Sequence, residues 1–232
     1  MTPEPGTHET GMLPPEGVRT MFDRIAPVYD VMNRVMTAGL DQRWRRVTVR
    51  RVVERGDHVL DACCGTGDFA IIARKAGASV VGLDFSAGML ERARRKDKVI
   101  EWVQGDLLAL PFEDAAFEAA TVGFGVRNVA DLPLALAELH RVLKPGGRVG
   151  ILEITRPKGP IRVFYSLWFD RIVPLLGKLL PGGSAYTYLP ASVKRFPPAD
   201  ELAELMRAAG FADVRYELVA GGIVARHLGT HG

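Results

Sequence analysis

Asp61-Ala62-Cys63-Cys64-Gly65-Thr66-Gly67 is the stretch on which the reading of the fold turns. Val59-Leu60-Asp61 has the apolar character of a buried strand reaching its end. The glycines that follow permit a tight turn where main chain can approach a ligand closely. A second apolar run, Val80-Val81-Gly82-Leu83, ends at Asp84. A carboxylate at such a strand tip can accept both hydroxyls of a ribose. Together these features predict a nucleoside-containing ligand at the carboxyl ends of parallel strands, with Gly65, Thr66, Gly67 and Asp84 around it.

Two kinds of cofactor meet that description. Gly65-Thr66-Gly67-Asp68-Phe69-Ala70 fits the G-x-G-x-x-A variant of the dinucleotide fingerprint. Asp61, however, stands four residues before Gly65, where a pyrophosphate would meet a carboxylate. A cationic ligand suits that position better, and S-adenosylmethionine carries both an ammonium and a sulfonium. A third apolar run, Val99 to Val103, leads to Gly105-Asp106, a second acidic tip able to face an adenine amino group. The charge pattern favours S-adenosylmethionine, with a nicotinamide or flavin cofactor as the alternative.

Working outward, strands are expected at 58–62, 79–84, 99–104, 117–123 and 148–154, and helices at 67–76, 87–95 and 132–143. This alternation specifies a doubly wound α/β sheet. A helix at 199–209 and strands near 213–219 and 222–228 follow, and Gly221-Gly222 suggests a closing hairpin with an antiparallel last strand. Before the sheet, Val18, Met21, Phe22 and Ile25 share a helical face, residues 31–38 resume as helix, and Asp41 is expected to N-cap a basic helix over 42–54. Residues 1–17, rich in Pro and Gly, read as a disordered tail, and 18–232 as one domain. Residues 155–198, dense in Leu, Phe and Tyr, read as an inserted apolar helical lid.

Composition excludes several classes. The 232 residues are 47% hydrophobic and 25% charged, ordinary for a soluble globular protein. A net charge of +3 is too small to argue for nucleic-acid binding, and Trp44 is the lone aromatic within the Arg-rich helix, where RNA stacking needs several. The two cysteines are adjacent, and the five histidines have no metal-ligand spacing. These features predict a cytoplasmic chain without a metal site. No run reaches the ~20 apolar residues of a spanning helix.

Several segments then converge on one family. Phe22 to Asp30 with Met32-Asn33, then Gly39-Leu40-Asp41 and Trp44, resemble the amino-terminal signature of the UbiE/MenG C-methyltransferases. Gly123-Phe124-Gly125-Val126-Arg127-Asn128-Val129 resembles that family too, as do Arg141 to Gly147 through Glu153 and Tyr186 to Val193 with Phe196-Pro197. The resemblance covers roughly residues 18–226. It implies the class I methyltransferase sheet of seven strands and methylation of a ring carbon in a polyprenylated quinol. It also places Thr66, Asp84, Asp106 and Leu107 on cofactor-contact positions. Gly123 stands where some members have Ser, Asp41 where His is frequent, and Thr155 where Ser is frequent.

Methylating a ring carbon requires positioning and a phenolate that loads the ring with electron density. Arg127 is assigned to that oxyanion, because a guanidinium stays protonated and makes a poor base. Asn128 is expected to orient the same oxygen or a water, and Tyr29 to close over the site. The competing reading pairs Arg127 with a carboxylate and makes Asn128 a helix cap. The lid would hold the prenyl tail, touch a membrane surface, or form a homodimer interface. Demethylmenaquinol is the expected acceptor. A methoxy-polyprenylbenzoquinol, another small molecule, and an RNA-binding role are the alternatives.

Overall fold

The computed structural model describes residues 14–157 and 183–232, with side chains from residue 188 onward in the second segment. The expected lid therefore lies largely outside the described residues, as do residues 1–13 of the expected tail.

Three helices precede the sheet: α1 (Pro15–Ile25), α2 (Tyr29–Thr37) and α3 (Leu40–Val52). Helix α1 starts inside the stretch expected to be disordered, since Pro15 supplies a preset φ at the first helical position. Asp41 is not a cap. Gly39 occupies that position without a side-chain bond, and Asp41 lies buried in the first turn of α3. Its carboxylate accepts Thr37 Oγ1 at 3.0 Å and Gln42 Nε2 at 3.1 Å and faces Arg45 at 3.7 Å. The helix starts at Leu40, two residues before the expected position, so Asp41 falls inside the first turn and is held by neighbours in sequence rather than capping the end.

The expected alternation follows: β1 (His58–Ala62), α4 (Asp68–Lys75), β2 (Ser79–Asp84), α5 (Ala87–Lys96), β3 (Glu101–Gln104), β4 (Phe117–Gly123), α6 (Leu132–Val142) and β5 (Leu143–Ile154). Asp131 caps α6 by accepting Leu134 N–H at 3.0 Å, so Asn128 is not that helix's cap. After α7 (Gly183–Arg195) and α8 (Ala199–Ala208) come β6 (Phe211–Val219) and β7 (Val224–His231). The sheet order is β3-β2-β1-β4-β5-β7-β6, with β7 antiparallel to both neighbours. Strands β1 to β5 are parallel.

Both faces of the central sheet are covered, which is why β1, β2 and β4 are near-continuous buried runs, while the edge strands β3 and β6 stay largely exposed. Leu136 and Leu139 of α6 and Leu202 and Met206 of α8 pack with Leu60, Val122 and Ile151 on one face. Val49 and Val52 of α3 and Phe69 and Ala73 of α4 pack with Val59, Val80 and Leu152 on the other. The chain runs outward from β1 to β3 and returns to β4 beside β1. That reversal opens a crevice at the carboxyl ends of β1 and β4, where ligands bind in open α/β sheets.

Candidate active site

The glycine loop joins β1 to α4 in that crevice. Gly67 has φ +86°, and a Cβ there would lie 2.4 Å from the Trp102 ring, so glycine is required on both counts. At the end of β4, a Cβ on Gly123 would meet Phe69 at 2.4 Å and Arg45 at 2.6 Å. That packing accounts for glycine where some relatives of the pattern carry Ser. Cys63 (φ 52°) and Phe124 (φ 61°), just beyond β1 and β4, also hold left-handed backbone without being glycine. Such strain concentrates at functional sites.

A cavity of about 270 Å³ opens at these strand ends. Of the residues singled out from sequence, Tyr29, Gly65, Asp84, Asp106, Leu107, Arg127 and Asn128 line it. Asp61, Thr66 and Gly67 do not, and each has a structural assignment instead. Asp61 is fully buried beneath the loop, accepting Thr121 Oγ1 and the Ala70 N–H, each at 2.9 Å. It lies opposite Thr121 across the β1–β4 ladder and lines neither cavity. Burial pushes its pKa up to about 7, against the pull of Thr121 and Arg45. Thr66 Oγ1 donates to Asp30 and accepts Lys96 Nζ at 2.9 Å. Lys96 also holds Asp30 at 2.6 Å and Asp68 at 3.0 Å, so the glycine loop is tied to α2.

Asp84 keeps the place expected of it. Its carboxylate accepts Gly65 N–H at 2.8 Å and Ser86 N–H at 2.9 Å. Burial raises its pKa to about 6, opposed by those N–H donors. Each oxygen retains acceptor capacity for a hydroxyl donor. Ser86 Oγ donates to Asp23 at 2.6 Å, and Gly88 N–H donates to the same carboxylate at 3.0 Å, which fastens α1 beside this strand end. Burial, with Asp84 next, pushes both cysteine thiols well above their ordinary range, so neither is a thiolate nucleophile.

A second cavity, about 450 Å³, adjoins the first. Its wall is overwhelmingly apolar: Met21, Ile25, Met32, Met36 and Leu189 contribute, with Trp44. Five side chains line both cavities: Phe22, Tyr29, Phe124, Arg127 and Tyr188. Arg127 is the one charged group among the five. Its Nη1 donates to Phe124 O at 2.6 Å and to Glu153 Oε1 at 2.7 Å. Burial alone would lower the guanidinium pKa; Glu153, with Tyr29 and Tyr188, outweighs it and the net shift is upward. Arg127 Nε and Asn128 Oδ1 are buried and lack hydrogen-bond partners among the described residues. An unsatisfied donor and an unsatisfied acceptor on adjacent residues are rare unless a ligand or water completes them. Arg127 thus has the carboxylate partner of the competing reading while still lining both cavities. Glu153 was legible only as part of a longer pattern. Its signal was a lone carboxylate inside the apolar run Val149 to Ile154.

The chain's similarities fit this geometry. Residues 11–231 match the model of the ubiE/COQ5 methyltransferase family. A Thermus thermophilus protein named demethylmenaquinone methyltransferase is 47% identical over 90% of this chain and 99% of its own length. A Roseiflexus protein of the same name is 44% identical over 95% and 98%. Among solved structures, a SAM-dependent methyltransferase from Thermotoga maritima superposes with a TM-score of 0.68 at 22% identity, covering 92% of this chain and 99% of that one. The fold is therefore that of the class I methyltransferases. The chain belongs to the ubiE/COQ5 methyltransferase family and is an S-adenosylmethionine-dependent methyltransferase.

Proposed function

We propose that this chain methylates a ring carbon of a demethylmenaquinol, with S-adenosylmethionine in the strand-end cavity and the quinol in the apolar one. One observation carries the reading: a strand-end cavity bearing two carboxylates and a more apolar cavity meet at a buried guanidinium with N–H groups that no described residue accepts. The strand-end cavity suits the cofactor, because Asp84 and Asp106 supply acceptors and Leu107 an apolar wall for a base. When bound, S-adenosylmethionine would supply an electrophilic methyl: the ring carbon would form the C–C bond, the C–S pair would stay on sulfur, and the displaced proton would pass to water.

The residues of this chain do the rest by positioning and charge. The Arg127 guanidinium donates to the quinol oxygen as it loses its proton, through a nitrogen not taken by Phe124 or Glu153, stabilising negative charge out of bulk water. Asn128 Oδ1 accepts from that hydroxyl or from a water beside it. Tyr29, on α2, closes the junction between the two cavities. The apolar faces of α1 and α2 cover the ring and the first part of the tail, excluding water from the reacting carbon.

The same reading extends to the membrane that holds such a substrate. Val31 and Val35 are 63% and 62% exposed and Leu40 is 45% exposed, and Val35 and Leu40 reach the rim of the apolar cavity. Arg34, Arg43, Arg46 and Arg50 are exposed on the same two helices, and Asp41, the one acidic residue between 31 and 50, is buried. This face suits peripheral contact with an anionic lipid surface. No described helix is long and apolar enough to cross a membrane.

The deciding experiment supplies reduced demethylmenaquinone and a reduced methoxy-polyprenylbenzoquinone separately, each with S-adenosylmethionine, and follows methyl gain by mass spectrometry. Methylation of the naphthoquinol alone is expected. Methylation of the benzoquinol in preference would move the chain to the ubiquinone reaction, and methylation of neither would remove the reading.

A further inference from the structure

Glu153 lies near the end of β5, is 1% exposed, and lines neither cavity. Its Oε1 accepts Arg127 Nη1 at 2.7 Å and Ile154 N–H at 2.8 Å, while Oε2 accepts the Arg127 main-chain N–H at 3.3 Å. The carboxylate therefore grips both the backbone and the side chain of one residue. Phe124 O takes the other contact to Nη1. Both protein acceptors of the guanidinium fall on Nη1, and Nε is left as a buried donor without a described partner. A buried charge is retained only when it is paired and hydrogen-bonded. Here the pairing also leaves Nε and both N–H groups of Nη2 without a described acceptor.

We propose that Glu153 is a positioning residue for methyl transfer, aiming Arg127 and neutralising it beside a cationic cofactor. This inference rests on the quinol reading above. A sulfonium held in the strand-end cavity would bring a positive charge close to Arg127. An unpaired guanidinium there would repel it, whereas an Arg127–Glu153 pair is neutral overall and still presents a directed N–H. Glu153 does not itself accept the substrate proton, because it lines neither cavity and Arg127 stands between it and the junction.

The test compares Glu153→Gln and Glu153→Asp with the wild-type chain in single-turnover methylation across pH, at saturating cofactor. Gln preserves shape but removes the charge, and its amide NH₂ must face an N–H donor. The rate at neutral pH should fall roughly 10- to 100-fold, as expected for a misaimed group. The acidic limb of the profile should move about one unit lower, because an unneutralised guanidinium favours the phenolate. The apparent KM for the quinol should stay within about threefold. Asp keeps the charge but not the reach, so its rate should fall while the limb stays in the wild-type position. A limb that does not move in Glu153→Gln, or one that moves in Glu153→Asp, overturns the assignment. So does a rate loss that only tracks the folded fraction measured by thermal melting. A wild-type chain that methylates no quinol sinks the parent reading instead, which separates the two failures.

Discussion

The two cavities share five side chains but are built in opposite ways. The strand-end cavity draws on positions locked into the parallel sheet: Asp84 closing β2, and Gly105 and Asp106 just past β3. Much of the apolar cavity belongs to α1 and α2, which lie outside the sheet. Those helices are fastened by a few polar ties, Asp23 to Ser86 and Gly88, and Asp30 to Thr66 and Lys96. A site held by a sheet ladder is stiff because many main-chain bonds share the load. A site held by side-chain ties depends on each one, and is where opening for entry of ligand costs least. The comparison teaches that donor and acceptor sites can be perturbed separately in this molecule.

The largest effect should come at their junction. Arg127→Ala should lower kcat by roughly 10²- to 10³-fold, the range for losing one oxyanion donor. Cofactor affinity by calorimetry should hold within a few-fold. Because the change strands a buried Glu153, Arg127→Lys serves as the control that keeps the charge but not the fork. Equal losses of cofactor affinity and turnover would mean the two sites are not separable there.

Next in size, Asp84→Asn should weaken cofactor binding by about 10- to 100-fold, the worth of hydrogen bonds to a charged acceptor. At saturating cofactor, quinol turnover should remain within a few-fold of wild type. Unchanged affinity would remove Asp84 from the cofactor's ribose.

A pH dependence of similar origin should be smaller. Asp84 titrates at about 6 because of burial, and hydroxyl donors prefer its ionised form. Protonation replaces an acceptor by a donor, so cofactor affinity should fall as pH drops below 6. The loss relative to neutral pH should be about tenfold at pH 5. Binding near pH 6 should release protons, measurable by calorimetry in buffers of different ionisation enthalpy, and Asp84→Asn should abolish both effects.

The smallest effect tests the ties. Asp30→Asn weakens a partly exposed ion pair with Lys96, for which about 1 kcal/mol is a fair ceiling. The KM for quinol should rise about fivefold with little change in cofactor affinity, showing that α2 belongs to the acceptor side. A reversed pattern would place α2 with the cofactor cavity instead.

Legibility in the sequence followed the range of the forces involved. The strands, the glycine turn and the closing hairpin were readable because period and turn chemistry act within about ten residues. Asp84 was readable for the same reason, as the terminal residue of its own strand. Asp61 was less legible, because its partner, Thr121, comes from a strand sixty residues on, and only the β1–β4 register brings the two together. Asp41 shows a different limit: its partners Thr37, Gln42 and Arg45 are all near it in sequence, but the helix begins at Leu40 behind Gly39, which a pattern read one or two residues off cannot fix. The partner of Arg127 was foreseen as a type of group, a carboxylate, without its number.

By itself, then, the order of residues determined the doubly wound sheet, its antiparallel last strand and the acidic strand tip at Asp84, because each is written in a short contiguous window. Only tertiary structure decided that Tyr29, Phe124, Arg127 and Tyr188 would meet between two cavities, and that Glu153 would hold the guanidinium from behind. Those residues are spread across most of the chain. Their meeting depends on sheet order and helix docking, quantities that no local pattern encodes.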